Sequence, residues 1–176
     1  MSSVYQECAK HRVPNNHRDN ALPHKVQNIK SKTHVDDLVI INRPIEEVFA
    51  FVVDHSNDRL WKPFVVESEK NSPGPIGAGT RFKIVTVAGG YRRASEVEIL
   101  EYEPYNSFVY KGYDRIFPFV GRIWFSTVPS GTHIQGQVEF QAQGFWRLLA
   151  PFPLMFFRSQ TKRTFARLKQ ILESAD

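Results

Sequence analysis

His133-Ile134-Gln135-Gly136-Gln137-Val138-Glu139-Phe140-Gln141 alternates without a break, with Ile134, Gly136, Val138 and Phe140 on one side and His133, Gln135, Gln137, Glu139 and Gln141 on the other. Successive side chains of an extended chain point to opposite faces, so this period of two predicts an antiparallel strand with one wet face and one face that must be covered. The one long element left to cover it follows directly. Residues 145–174 predict a helix roughly 45 Å long at 1.5 Å per residue. Leu148, Phe152, Phe156, Phe165, Leu168, Ile171 and Leu172 form its apolar stripe. Pro151 and Pro153 each remove a helical N–H and crowd the preceding turn, which predicts a kink or break with the regular helix starting near Leu154.

Toward the N-terminus the same texture repeats at hairpin spacing. Strands are predicted at Phe64–Lys70, Arg81–Val87, Tyr91–Glu101, Ser107–Tyr113, Val120–Val128 and Thr132–Ala142, divided by turn-forming stretches such as Ala88-Gly89-Gly90 and Pro129-Ser130-Gly131. A first strand, His34–Ile41, ends at Asn42-Arg43-Pro44. Pro44 suits the first turn of a helix, and Glu46 and Glu47 suit its positive end. Val48, Phe49, Phe51 and Val52 supply the apolar stripe, and Asp54 or Ser56 can cap a second short helix reaching Trp61. Residues 1–33 show no sustained period and are read as a flexible polar extension, leaving one α+β domain over 34–176.

Composition narrows the function classes. One cysteine, Cys8, permits no internal disulfide, and neither a signal-peptide core nor a run of 18 apolar residues is present, so the chain reads as cytoplasmic. The net charge of +5 raises nucleic acid as a partner, but the excess lies in residues 1–33 and in the C-terminal helix, where basic residues are the usual solvated face. Tyr91-Arg92-Arg93 alone is too little for a base-reading surface, so no nucleic acid is expected. The six histidines are scattered, half of them in the extension, and predict neither a metal site nor a catalytic triad. Gly74–Gly79 precedes a strand and lacks a following Lys-Ser or Lys-Thr pair, which argues against phosphate binding; no motif calls for a cofactor.

The order strand, two short helices, six strands and long helix comes with particular residues: Val39-Ile40-Ile41-Asn42-Arg43-Pro44-Ile45-Glu46-Glu47-Val48-Phe49-Ala50-Phe51, then Trp61, Gly77-Ala78-Gly79-Thr80, Glu103-Pro104, Ser130-Gly131-Thr132 and finally Arg163, Leu168, Lys169 and Glu173. Together they resemble the START-like or SRPBCC superfamily, which includes polyketide cyclases, the birch pollen allergen and steroid-transfer domains. The resemblance spans the chain from His34 onward. It implies the helix-grip fold, a curved seven-stranded antiparallel sheet wrapped around the C-terminal helix. It also implies a small hydrophobic ligand (a lipid, aromatic polyketide or similar metabolite) held between the two.

Inward-facing side chains are then the candidate ligand contacts. Alternation selects Phe82, Ile84 and Thr86; Arg93, Ser95, Val97 and Ile99; Phe108 and Tyr110; Ile123 and Phe125 in preference to Trp124; and Ile134, Val138 and Phe140. Trp61, Phe64, Phe152, Leu154 and Phe156 join them. An inward Arg93 requires a partner: Glu96, Glu98, another acid, or a carbonyl-bearing or anionic ligand. Arg93, Ser95, Tyr110 and Tyr113 are the polar candidates, too few convergent titratable groups to prefer a cyclase or dehydratase over a carrier or sensor. The stretch Arg147–Arg158 is apolar enough for transient membrane contact during ligand entry, although core packing accounts for it equally well.

Overall fold

The computed structural model describes residues 34–114, 118–140 and 151–174. Seven strands form one antiparallel sheet: β1 (His34–Ile41), β2 (Val65–Lys70), β3 (Arg81–Ala88), β4 (Tyr91–Glu103), β5 (Ser107–Tyr113), β6 (Phe119–Val128) and β7 (Gly131–Phe140). Their order is β1-β7-β6-β5-β4-β3-β2, so the first strand leaves its sequence neighbours and pairs with the last, Val39 opposite Ile134. Register shifts between Val65 and Glu67 and between Ile99 and Glu101 insert extra residues into β2 and β4. Such bulges bend the strands that carry them.

Between β1 and β2 run α1 (Ile45–Val53), a 3-10 turn (His55–Asn57) and the single-turn helix α2 (Asp58–Trp61). Pro44 stands one position before α1, with Glu46 and Glu47 in its first turn. Asp54 caps the 3-10 turn by accepting from the Ser56 amide at 2.9 Å. Val48, Phe49 and Val52 are buried as the sequence pattern requires.

The long helix α3 (Pro151–Ser174) closes the concave face. The described helix starts at Pro151, close to the predicted start near Leu154, and the part of the expected helix before it lies outside the described residues. Phe165, Leu168 and Leu172 enter the core beside Ile41 and Ile134. The C-terminal turns are tied to the β1–α1 junction: Lys169 Nζ donates to the Ile40 carbonyl, Arg43 Nε to the Leu172 carbonyl, and the Asn42 amide to Glu173. Two expected segments, the extension over residues 1–33 and the stretch 141–150, lie outside the described residues.

Candidate functional site

The interior of the grip has two unlike ends. At the end nearest the β1–α1 junction, aromatic rings fill it. Phe49 meets Phe125 edge-on at 5.0 Å and Phe108 at 6.2 Å, while Phe108 stacks on Phe125 at 6.1 Å. At the other end the rings part around a cavity of about 410 Å³ with a predominantly apolar lining, including Ile84, Val97, Phe119, Ile123, Val138 and Phe140. Inward glycines help to shape it. A methyl group on Gly121 would come within 2.1 Å of the Tyr110 ring, and one on Gly112 equally close to Phe119, so both rings lie across bare backbone of the neighbouring strand.

Of the residues selected from sequence, Trp61, Phe64, Ile84, Thr86, Arg93, Ser95, Val97, Tyr110, Ile123, Val138 and Phe140 line the cavity. Phe82, Phe108 and Phe125 do not. They belong to the solid part of the core, Phe82 and Phe108 packing against the His55 ring at 5.2 and 5.9 Å. The side chains of Phe152, Leu154 and Phe156 lie outside those described. Ile123 and Phe125 face inward, whereas Trp124 is half-buried with Arg122 over its ring at 5.7 Å. Tyr113 is exposed and donates to Glu98 at 3.0 Å, away from the inward position considered for it.

The half-buried Arg93 pairs with Asp114, just past the end of β5. Glu96 and Glu98, its nearer acids in sequence, face Arg81 instead. Alternation identified the inward arginine, but the acid that accompanies it is set by strand pairing over a longer range.

Pattern reading missed the polar knot in the cavity wall. His55 Nδ1 and Asp58 Oδ2 are 2.9 Å apart, and Lys62 Nζ donates to the same carboxylate oxygen at 2.7 Å. His55 and Asp58 are each 1% exposed. Burial raises the proton affinity of the Asp58 carboxyl, but the charges of Lys62 and His55 and their hydrogen bonds outweigh it and hold its pKa below the ordinary value. The acid is therefore the charged member that the knot stabilises. Burial, and then the charge of Asp58, pushes the Tyr110 phenol upward, keeping it protonated, with its ring 4.9 Å from that of His55. The available signal was the spacing of His55, Asp58 and Lys62, three and four residues apart, around the Trp61 already singled out.

No group of three or more potential metal ligands occurs among the described residues, and no described helix is long and apolar enough to cross a membrane.

A curled seven-stranded sheet closed by one long helix, with an apolar cavity between them, defines a helix-grip protein. The match to known families gives the same result at finer grain: residues 32–173 fit the model described as polyketide cyclase / dehydrase and lipid transport, and the chain belongs to that family. Among solved structures, a protein of Thermus thermophilus superposes with a TM-score of 0.69 at 20% identity, over 81% of this chain and 99% of that one. One from Chromobacterium violaceum gives 0.62 at 13% identity, over 80% and 98%. The di-domain ARO/CYC protein StfQ of the steffimycin biosynthetic pathway gives 0.65 at 12% identity, over 80% of this chain and 50% of that one. These identities speak for the fold alone. No curated protein matches the chain.

Proposed function

We propose that the protein binds a small hydrophobic molecule in the cavity between sheet and helix and acts as its carrier or sensor. The observation that carries this reading is the hollow end of the grip. A space of about 410 Å³ lined mainly by apolar groups lies in the size range of small-molecule pockets and is far larger than a packing defect. Membership of a family described by both cyclase chemistry and lipid transport supports it. The test combines native mass spectrometry and organic extraction of the purified protein with titration by a fluorescent apolar probe. Saturable one-to-one binding is expected in the wild type and should be lost in Ile84→Trp, whose indole projects into the cavity, with the melting temperature retained. No extracted species and no saturable binding would sink the proposal.

A second reading, a cyclase or dehydratase using the same cavity, is favoured by the His55–Asp58 pair. An imidazole oriented by a buried carboxylate is suited to accept and return a proton. The fold similarity to StfQ, described as ARO/CYC, points the same way. This reading requires turnover of a poly-β-ketone mimic by the wild type, and loss of turnover with retained binding in His55→Gln.

A further inference from the structure

Helix α3 has two faces of different chemistry. Thr161, Thr164 and Phe165 line the cavity from its inner side. Its outer side carries Lys162, Arg163, Ala166, Arg167 and Gln170, all exposed. Between Pro151 and Leu172 the helix has no acid, and its single carboxylate, Glu173 in the last turn, is taken by Lys169 at 3.0 Å. A basic helix face is ordinarily just solvated. What sets this one apart is how the fold treats its other cations. On the sheet, Arg81, Lys83, Arg92, Arg93 and Arg122 each stand against a carboxylate, Lys70 donates to the Gly74 carbonyl and Lys111 lies over the Tyr113 ring. Lys162, Arg163 and Arg167 have no ion-pair partner among the described residues.

Fixed positive charge without internal counter-charge attracts an anionic surface, and the start of the same helix narrows the kind of surface. The helix opens with Pro151-Phe152-Pro153-Leu154-Met155-Phe156-Phe157, a run without a charge. Its period sets positions 152 and 156, both Phe, on the line that passes through 163, because separations of 11 and 7 residues are close to three and two full turns at about 3.6 residues each. Large apolar residues and cations on one line of a helix are the pattern of an element that lies in the plane of a membrane surface. The phosphates of a nucleic acid would match the cations alone and leave the apolar run without a role.

We propose that the outer face of α3 docks the protein on a lipid surface that carries anionic headgroups. Lys162, Arg163 and Arg167 meet the headgroups, and the first turns of the helix meet the boundary between headgroups and acyl chains. The docking face goes beyond the ligand-binding reading and does not depend on it, since it uses the side of α3 turned away from the cavity. It sets the cavity and the lipid surface on opposite sides of one helix.

Sedimentation of the full chain with phosphatidylcholine vesicles, with and without phosphatidylserine, tests the proposal. Partitioning should be at least about tenfold stronger onto the anionic vesicles. Raising the salt from about 0.1 M to about 1 M, which shortens the screening length from about 10 Å to about 3 Å, should reverse most of it. Each cation near an anionic surface contributes about fivefold. Lys162→Gln, Arg163→Gln and Arg167→Gln combined should therefore lose at least about tenfold, with melting temperature and apolar-probe binding retained. Should that variant fold poorly, Arg163→Gln alone should lose about threefold to fivefold. Equal partitioning onto both vesicles, none onto either, or a variant that partitions like the wild type would overturn the docking face. Binding of a single-stranded RNA oligomer in place of the vesicles would overturn it as well and assign the cations to nucleic acid. Vesicle binding by a wild type that takes up no apolar probe would uphold the docking face and count against the cavity reading alone.

Discussion

The two ends of the grip use the same kinds of residue to opposite effect. Phe49, Phe108 and Phe125 converge into solid packing at one end, whereas Phe119 and Phe140, paired just as closely at 5.9 Å, stand on the wall of a hollow. Ring content alone does not separate core from pocket. At the packed end α1 presses Phe49 onto the sheet, whereas at the hollow end the described cover, Trp61 of α2 and Phe165 of α3, leaves a cavity beneath it.

The largest test of that contrast is a pair of truncations. Phe108→Ala should lower the unfolding free energy by about 3–5 kcal/mol, because it opens a void inside solid packing. Val138→Ala, on the cavity wall, should cost less than about 1 kcal/mol, since the methyls removed have few partners on one side. Urea denaturation reads both, and equal losses would mean that the hollow end is packed in solution.

Gly121 sharpens the boundary between the two ends. Adding one methyl group at Gly121→Ala must displace the Tyr110 ring, with an expected loss of about 1–3 kcal/mol from overpacking. The displaced ring should also weaken apolar-probe binding. Unchanged stability and affinity would show that Tyr110 does not need the bare backbone.

The smallest effect belongs to the C-terminal latch. Glu173 accepts from the Asn42 amide and from Lys169, in that order of influence, which holds its carboxyl below the ordinary value of 4.5. A depressed acid adds stability above its unfolded pKa and loses it as the pH falls through the folded one. Glu173→Gln should therefore melt about 2 °C or less below the wild type at pH 7, with the gap closing toward pH 3. A gap that is unchanged at low pH would show that the carboxylate charge contributes nothing there.

Much of this architecture was legible in the order of residues. The Ile134–Phe140 alternation gave both the strand and the face that needed cover, and the same period placed Ile123 and Phe125 inside and Trp124 outside. The division between filled and hollow core was not legible. It depends on cross-strand pairs such as Tyr110 opposite Gly121 and Phe119 opposite Gly112, which no local period reveals. His55 and Asp58 were missed for a different reason: a 3-10 turn running into a single helical turn is too short to show an amphipathic stripe. Arg93 was found, but its partner Asp114 lies 21 positions away in the chain.

The pairing of the first strand with the last has a kinetic consequence. His34 lies opposite Glu139, so β1 cannot dock until β7, the last strand in the chain, is available to pair with it. The hairpins from β2 to β7 close over short loops and can assemble early, whereas β1 must close a loop almost as long as the domain. On the ribosome, the first strand made would be the last one placed.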